Sequence, residues 1–163
     1  MTMYEVKDNK RTIKFDGVLL AFSTSFRPGV KRWIEFGLYR TVGGSYVLSR
    51  IGETHLYHNP ECAVAQRNGL TQIPLAALRE GSVPCEVCRP DRLSVRVEDQ
   101  MVSPEMPRYW AQVSDTADAV VDSLYKYDEA GARYLTSVAE RLLEEASAVD
   151  AAIEGAYRVE TIY

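Results

Sequence analysis

The sequence predicts an α+β protein with three parts in order: an N-terminal antiparallel β-meander, a central metal-binding knuckle, and a C-terminal helical hairpin. Three observations carry this expectation. Short β-branched and aromatic runs punctuated by Gly and Pro fill residues 12–57, all three cysteines share one stretch with a histidine, and from residue 114 the apolar residues recur every three or four positions. The expected organisation is a sheet over residues 1–100 with the metal module, 54–92, embedded in it, followed by a connector and the helical hairpin over 101–163.

The expected strands are Thr12–Phe15, Gly17–Phe22, Arg32–Arg40 and Tyr46–Arg50, broken by Asp16-Gly17, Arg27-Pro28-Gly29 and Gly43-Gly44. In the third run Ile34, Phe36 and Leu38 alternate with Trp33, Glu35, Gly37 and Tyr39, which predicts one core face and one partly wet face. Gly43-Gly44 suits the hairpin that returns through Tyr46 and Leu48. A short helix is expected over Leu75–Glu80, ended by Gly81, and Asn59-Pro60 reads as the cap and first position of another helical turn. Residues 89–112 contain Pro90, Pro104 and Pro107 and read as a connector with one strand at Leu93–Val97. Ser114 can cap a helix bearing Ala117, Val120, Val121 and Leu124 on one face. A second helix, Asp128–Glu154, aligns Leu135, Val138, Leu142, Ala146, Val149 and Ile153 in one stripe.

His58, Cys62, Cys85 and Cys88 lie within 31 residues, as a His-x3-Cys pair and a Cys-x2-Cys pair with 22 residues between them. Three thiolates and one imidazole are the donor set of a closed, structural tetrahedral Zn²⁺ site, which leaves no position for substrate or activated water. The alternative is three merely buried thiols, but a Pro-flanked Cys-x2-Cys is poorly explained by packing. His55 is a rival first ligand; His58 is preferred because His-x3-Cys brackets the Asn59-Pro60 turn. The bound site would carry a charge of −1, which Arg89 and Arg92 are placed to offset.

The stretches Leu56-Tyr57-His58-Asn59-Pro60-Glu61-Cys62-Ala63, Ala76-Ala77-Leu78-Arg79-Glu80-Gly81 and Val83-Pro84-Cys85-Glu86-Val87-Cys88-Arg89-Pro90-Asp91 resemble the zinc-binding domain of Ada-type DNA-repair methyltransferases, over about residues 54–92. The family pattern is Cys-x3-Cys followed by Pro-Cys-x2-Cys-x-Pro, and its first cysteine accepts a methyl group from a DNA phosphotriester. Here that position is His58, and an imidazole bound through its lone pair is no counterpart of a nucleophilic thiolate. The resemblance therefore implies the zinc module for Cys62, Cys85 and Cys88, and more weakly its contact with nucleic acid, without methyl transfer. Trp33 to Leu48 is also similar to a β-meander of small actinobacterial proteins.

Charge is unevenly spread: nine basic against five acidic residues in 1–60 (+4), five against six in 61–100 (−1), and five against twelve in 101–163 (−7). A nucleic-acid role must then rest on a local patch, for which Lys31, Arg32, Arg89 and Arg92 are the candidate contacts. Ten tyrosines and two tryptophans could stack on bases, but aromatics in strands more often fill cores. Asp115, Asp118 and Asp122, at helical spacing, read as a solvated helix face. No Gly-rich phosphate loop, His-Glu-x2-His motif or nucleophile elbow occurs. The leading expectation is a non-catalytic, zinc-stabilised binding or regulatory protein. It would act on a protein partner through Leu135, Val138 and Leu142, or form a homodimer through the C-terminal helices. The alternatives are a nucleic-acid binder, a small phage or mobile-element inhibitor, and an enzyme with a cleft between sheet and helices. No apolar run approaches the ~18 residues of a membrane span, Met1–Glu5 has no signal-like character, and paired reduced thiols fit the cytoplasm.

Overall fold

The computed structural model describes residues 2–92 and 96–159. Among these residues the elements are β1 (Thr2–Asp8), β2 (Arg11–Thr24), β3 (Arg32–Thr41), β4 (Tyr46–Thr54), β5 (Leu56–His58), α1 (Ala63–Arg67), β6 (Ile73–Pro74), β7 (Val83–Pro84), β8 (Met101–Pro104), β9 (Arg108–Ser114), α2 (Ala117–Leu124), β10 (Lys126–Tyr127), β11 (Arg133–Tyr134), α3 (Ser137–Ser147) and α4 (Ala151–Arg158). The architecture is α+β, as expected. The chain forms two compact units: residues 1–26, 34–52 and 108–163 make the first, and 27–33 with 53–107 the second. The parting therefore does not fall at residue 100, because β9 returns to pair with β4.

In the first unit five strands run in the order β1-β2-β3-β4-β9. Asp16-Gly17, expected to break the chain, lies inside the 14-residue β2. Gly17 serves close approach there instead: a Cβ at this position would sit 2.2 Å from the Arg40 carbonyl oxygen on β3. The turn comes earlier, at Asn9, whose φ of 55° joins an unanticipated β1 to β2. Gly43-Gly44 forms the expected hairpin, with the Thr41 N–H donating to the Ser45 carbonyl at 2.8 Å. The sheet curls until the Asn9 N–H donates to the Tyr109 carbonyl at 2.9 Å.

Both faces of the curled sheet are used. Leu20, Ala21, Phe36, Leu38, Tyr46 and Leu48 meet Val120, Val121 and Leu124 of α2, Val138, Leu142 and Leu143 of α3, and Ile153 of α4. On the other face Val6, Val47 and Ala111 form a second cluster with Ile13, Phe15 and Tyr39, so the partly wet side of β3 also carries packing.

The connector expected over 89–112 contains two strands, β8 and β9. Arg108-Tyr109-Trp110-Ala111-Gln112-Val113-Ser114 pairs throughout with β4, and Pro104 and Pro107 bound strands instead of preventing them. Of the strand expected at 93–97, Leu93–Val95 lie outside the described residues, while Val97 belongs to a 3₁₀ turn, Val97–Asp99. Ser114 ends β9, and Thr116 caps α2, its hydroxyl accepting the Ala119 N–H. The single helix expected over 128–154 is broken twice. Asp128 accepts the Ala132 N–H in a turn between β10 and β11, and α3 starts only after Thr136. The chain stops again after Ser147, and Asp150 caps α4. These caps are stronger local signals than the apolar stripe that spans them.

The stripe itself is corrected as a partner surface. Val138 and Leu142 are buried, Leu135 packs against the same core, and the apolar faces of α2 and α3 are spent on the sheet. Among the described residues no helix is long and apolar enough to cross a membrane.

Candidate metal centre

The second unit carries a small sheet in the order β6-β8-β5-β7. Its central strand, β5, pairs parallel with β7 through Leu56↔Val83 and Tyr57↔Pro84, and antiparallel with β8 through Tyr57↔Pro104 and His58↔Ser103. Those two pairings assemble the site. The first sets the Cys85 N–H on the Tyr57 carbonyl at 2.9 Å and so delivers Cys85 beside His58. The second sets the Glu105 N–H on the Leu56 carbonyl at 2.9 Å and delivers a carboxylate to the other side of the imidazole.

His58, Cys62, Cys85 and Cys88 converge, their donor atoms all within 4.8 Å of one another, and this group can hold a metal ion. Cys62 is itself the N-cap of α1; the turn expected to start at Asn59 begins three residues later, while the Asn59 carboxamide accepts the Glu61 N–H at 3.1 Å. The helix expected over Leu75–Glu80 is a single 3₁₀ turn, Leu75–Ala77, and Gly81, at φ +87°, lies inside a separate turn closed by the Ser82 N–H on the Arg79 carbonyl at 3.3 Å. His55, the rival ligand, lies edge-on to Trp33 with ring centroids 4.5 Å apart.

Backbone amides surround the sulfurs. The Asn59 N–H donates to Cys88 Sγ at 3.2 Å. Burial raises the Cys62 thiol, but the amides of Val64 and Ala65, with His58 and Cys88, bring it below its ordinary value. Burial likewise opposes ionisation of Cys85, yet the amides of Cys88 and Val87 hold it down to about 7. Cys88 is pushed up to about 11 by burial and by its two neighbouring sulfurs. Three sulfurs this close cannot all ionise without a cation among them.

The imidazole is held from behind. Its Nε2 lies 2.6 Å from Glu105 Oε2, while Nδ1 is buried and has no hydrogen-bond partner among the described residues. Glu105 is gripped in turn by the Arg32 guanidinium, at 3.1 and 2.7 Å, and by the Thr54 hydroxyl at 3.1 Å. Burial raises the Glu105 carboxyl, but bonds from Arg32 and His58 outweigh it and leave the group below its ordinary value. A carboxylate at Nε2 fixes that nitrogen as the donor, which leaves the Nδ1 lone pair for a metal. Glu105 and Thr54 were not anticipated; nothing local in the sequence distinguishes them.

The four candidate nucleic-acid contacts are mostly neutralised. Lys31 pairs with Glu86, Arg32 with Glu105, and Arg89 with Asp91 at 2.7 Å. Arg92 alone of the four has no ion pair among the described residues. Compared with models of protein families, with curated proteins and with solved structures, the chain matches none of them.

Proposed function

We propose that this chain is a non-catalytic binding protein stabilised by one structural Zn²⁺ held by His58 Nδ1, Cys62, Cys85 and Cys88. The observation that carries the reading is the orphaned, buried Nδ1 facing three sulfurs while Glu105 occupies Nε2. Bound zinc supplies a fourfold crosslink and neutralises thiolates, and four protein donors complete its shell. The reading rests also on the sequence resemblance to the Ada-type zinc knuckle, with His58 at the position of its acceptor cysteine. Arg89 and Arg92 do not donate to the sulfurs among the contacts described; the amides of Asn59, Val64, Ala65, Val87 and Cys88 take that role.

A protein is the better-supported partner. Carboxylates already cover three of the four candidate phosphate contacts, and the C-terminal third carries −7, which disfavours a polyanion. With the helix stripe buried, Leu19 and Phe22 of β2 are among the exposed apolar residues open to such a partner. The test is fluorescence anisotropy with random-sequence DNA and RNA at low and moderate salt, together with mass spectrometry after incubation with methylated DNA. No submicromolar binding and no S-methyl adduct are expected. Tight, salt-sensitive binding abolished by Arg32→Ala and Arg89→Ala would establish the nucleic-acid reading instead.

Glu105→Gln tests the orienting contact. It keeps the side-chain volume but removes the charge that Nε2 and Arg32 share. Zinc affinity, measured by competition with a chromophoric chelator, is expected to fall about 10–100-fold. An unchanged affinity would remove Glu105 from the site.

A further inference from the structure

The register of β4 with β9 places Tyr46↔Ser114, Leu48↔Gln112 and Arg50↔Trp110 on the sheet face that the helices cover. Tyr46 and Leu48 are buried beneath the helices, but two residues farther along the same face Arg50 is exposed and Trp110 retains 39% of its surface. The helical layer therefore stops short of the sheet's end. In the gap lies a cavity of about 190 Å³, with Phe36 and Leu48 on its sheet side and Leu124 and Val138, from the end of α2 and the start of α3, on its helix side. Trp110, Arg50 and Lys126 stand around it, with hydroxyls from Ser25, Ser123 and Thr136.

The cations beside this cavity are free of carboxylates among the described residues, whereas five others in the unit, Arg11, Lys14, Arg40, Arg133 and Arg158, each pair with one. Arg50 and Lys126 make no ion pair among the described residues, and no carboxylate lines the cavity. Two uncompensated cations beside an apolar hollow, in a chain of net charge −4, are complementary to an anion with an apolar body. The volume sets the size, since an apolar cavity of about 150 Å³ accepts benzene.

We propose that this cavity binds a small organic carboxylate with a single-ring apolar body, the ring between Trp110 and the Leu48, Leu124 and Val138 side chains and the carboxylate on Arg50 and Lys126. Among the described residues no histidine, cysteine or carboxylate lines the site, and it is proposed as a binding site without acid-base machinery. It belongs wholly to the first unit and does not depend on the zinc reading.

The experiment is an amide and indole NMR titration of the full chain with benzoate, benzamide and acetate. Benzoate should give saturable shifts confined to residues around Leu48, Trp110, Leu124 and Val138, with a dissociation constant no weaker than the low-millimolar range for a ligand of this size. Benzamide, which lacks the charge, and acetate, which lacks the ring, should each bind about tenfold or more weakly. Arg50→Met should weaken benzoate by a similar factor; if that variant's spectrum shows misfolding, Lys126→Met replaces it. Equal binding of benzoate and benzamide, unsaturable or scattered shifts, or full affinity in a folded Arg50→Met or Lys126→Met variant would each overturn the proposal.

Discussion

On the proposed zinc reading, Cys85→Ser is expected to release the ion and unfold the second unit. Cys85 is the most buried of the three cysteines, takes the Val87 and Cys88 amides on its sulfur, and is tied by its own N–H to Tyr57 next to His58. A serine hydroxyl leaves those amides facing a poor ligand and leaves Cys62 and Cys88 without the cation that lets them ionise together. Structural zinc contributes about 10–16 kcal/mol of apparent binding energy in peptide-sized domains. Forfeiting even ~5 kcal/mol of that would lower the melting midpoint by roughly 10–20 °C at this chain length. Metal analysis should fall from one zinc per chain to near none, and calorimetry should show the drop. A chelator should reproduce the effect on the unaltered protein and add nothing to the variant. Metal-free purified protein, with full stability in the variant, would end the structural-zinc reading.

The second large effect is expected at Asp150, which has 1% of its side chain exposed. Its carboxylate accepts the Tyr46 hydroxyl at 3.1 Å, caps α4 through the Ile153 N–H at 3.0 Å, and lies 3.4 Å from Arg40. Asp150→Ala removes the cap, worth about 1 kcal/mol, and strands a buried phenol hydroxyl at about 1–3 kcal/mol. Denaturant unfolding should therefore show a loss of roughly 2–4 kcal/mol. Asp150→Asn keeps an acceptor for both Ile153 and Tyr46, so it should recover about half of that. An alanine variant within ~0.5 kcal/mol of the parent, the range of ordinary surface changes, would show that the contacts are not coupled to folding.

The candidate metal group was legible because each pair is local: His58 and Cys62, and Cys85 and Cys88, are each separated by a single turn, while the meeting of the two pairs rests on the pairing of β5 with β7. Glu105 was not legible. It reaches His58 across 47 positions through strand pairing and is one of 23 acidic residues without a distinguishing neighbour. The α+β class and the apolar faces of α2 and α3 were readable from periodicity. Their use was not, because periodicity shows which side chains want to be buried without saying whether a sheet or a partner buries them. Thr136 and Asp150 were available as cap signals, and weighting them above the stripe through Val149 would have divided α3 from α4 in advance. Gly17 shows the opposite ambiguity: the same residue type permits a turn or a close strand crossing, and only β3 decides between them.

The pairing of Gly52 with Arg108 has a kinetic consequence. β4 and β9 are hydrogen-bonded neighbours, yet the chain leaves one and re-enters the other only after residues 53–107, the stretch that carries the candidate metal group. Closing the sheet thus means closing a long loop, whose entropic cost grows with the logarithm of its free length, and non-local pairings of this kind slow folding. An ion joining residues 58, 62, 85 and 88 would shorten the slack inside that loop before the two strands meet. Metal would then act as an accelerant of strand registry as well as a brace for the finished molecule. Refolding from denaturant should be slower when a chelator is present from the start than when it is added after the sheet has closed.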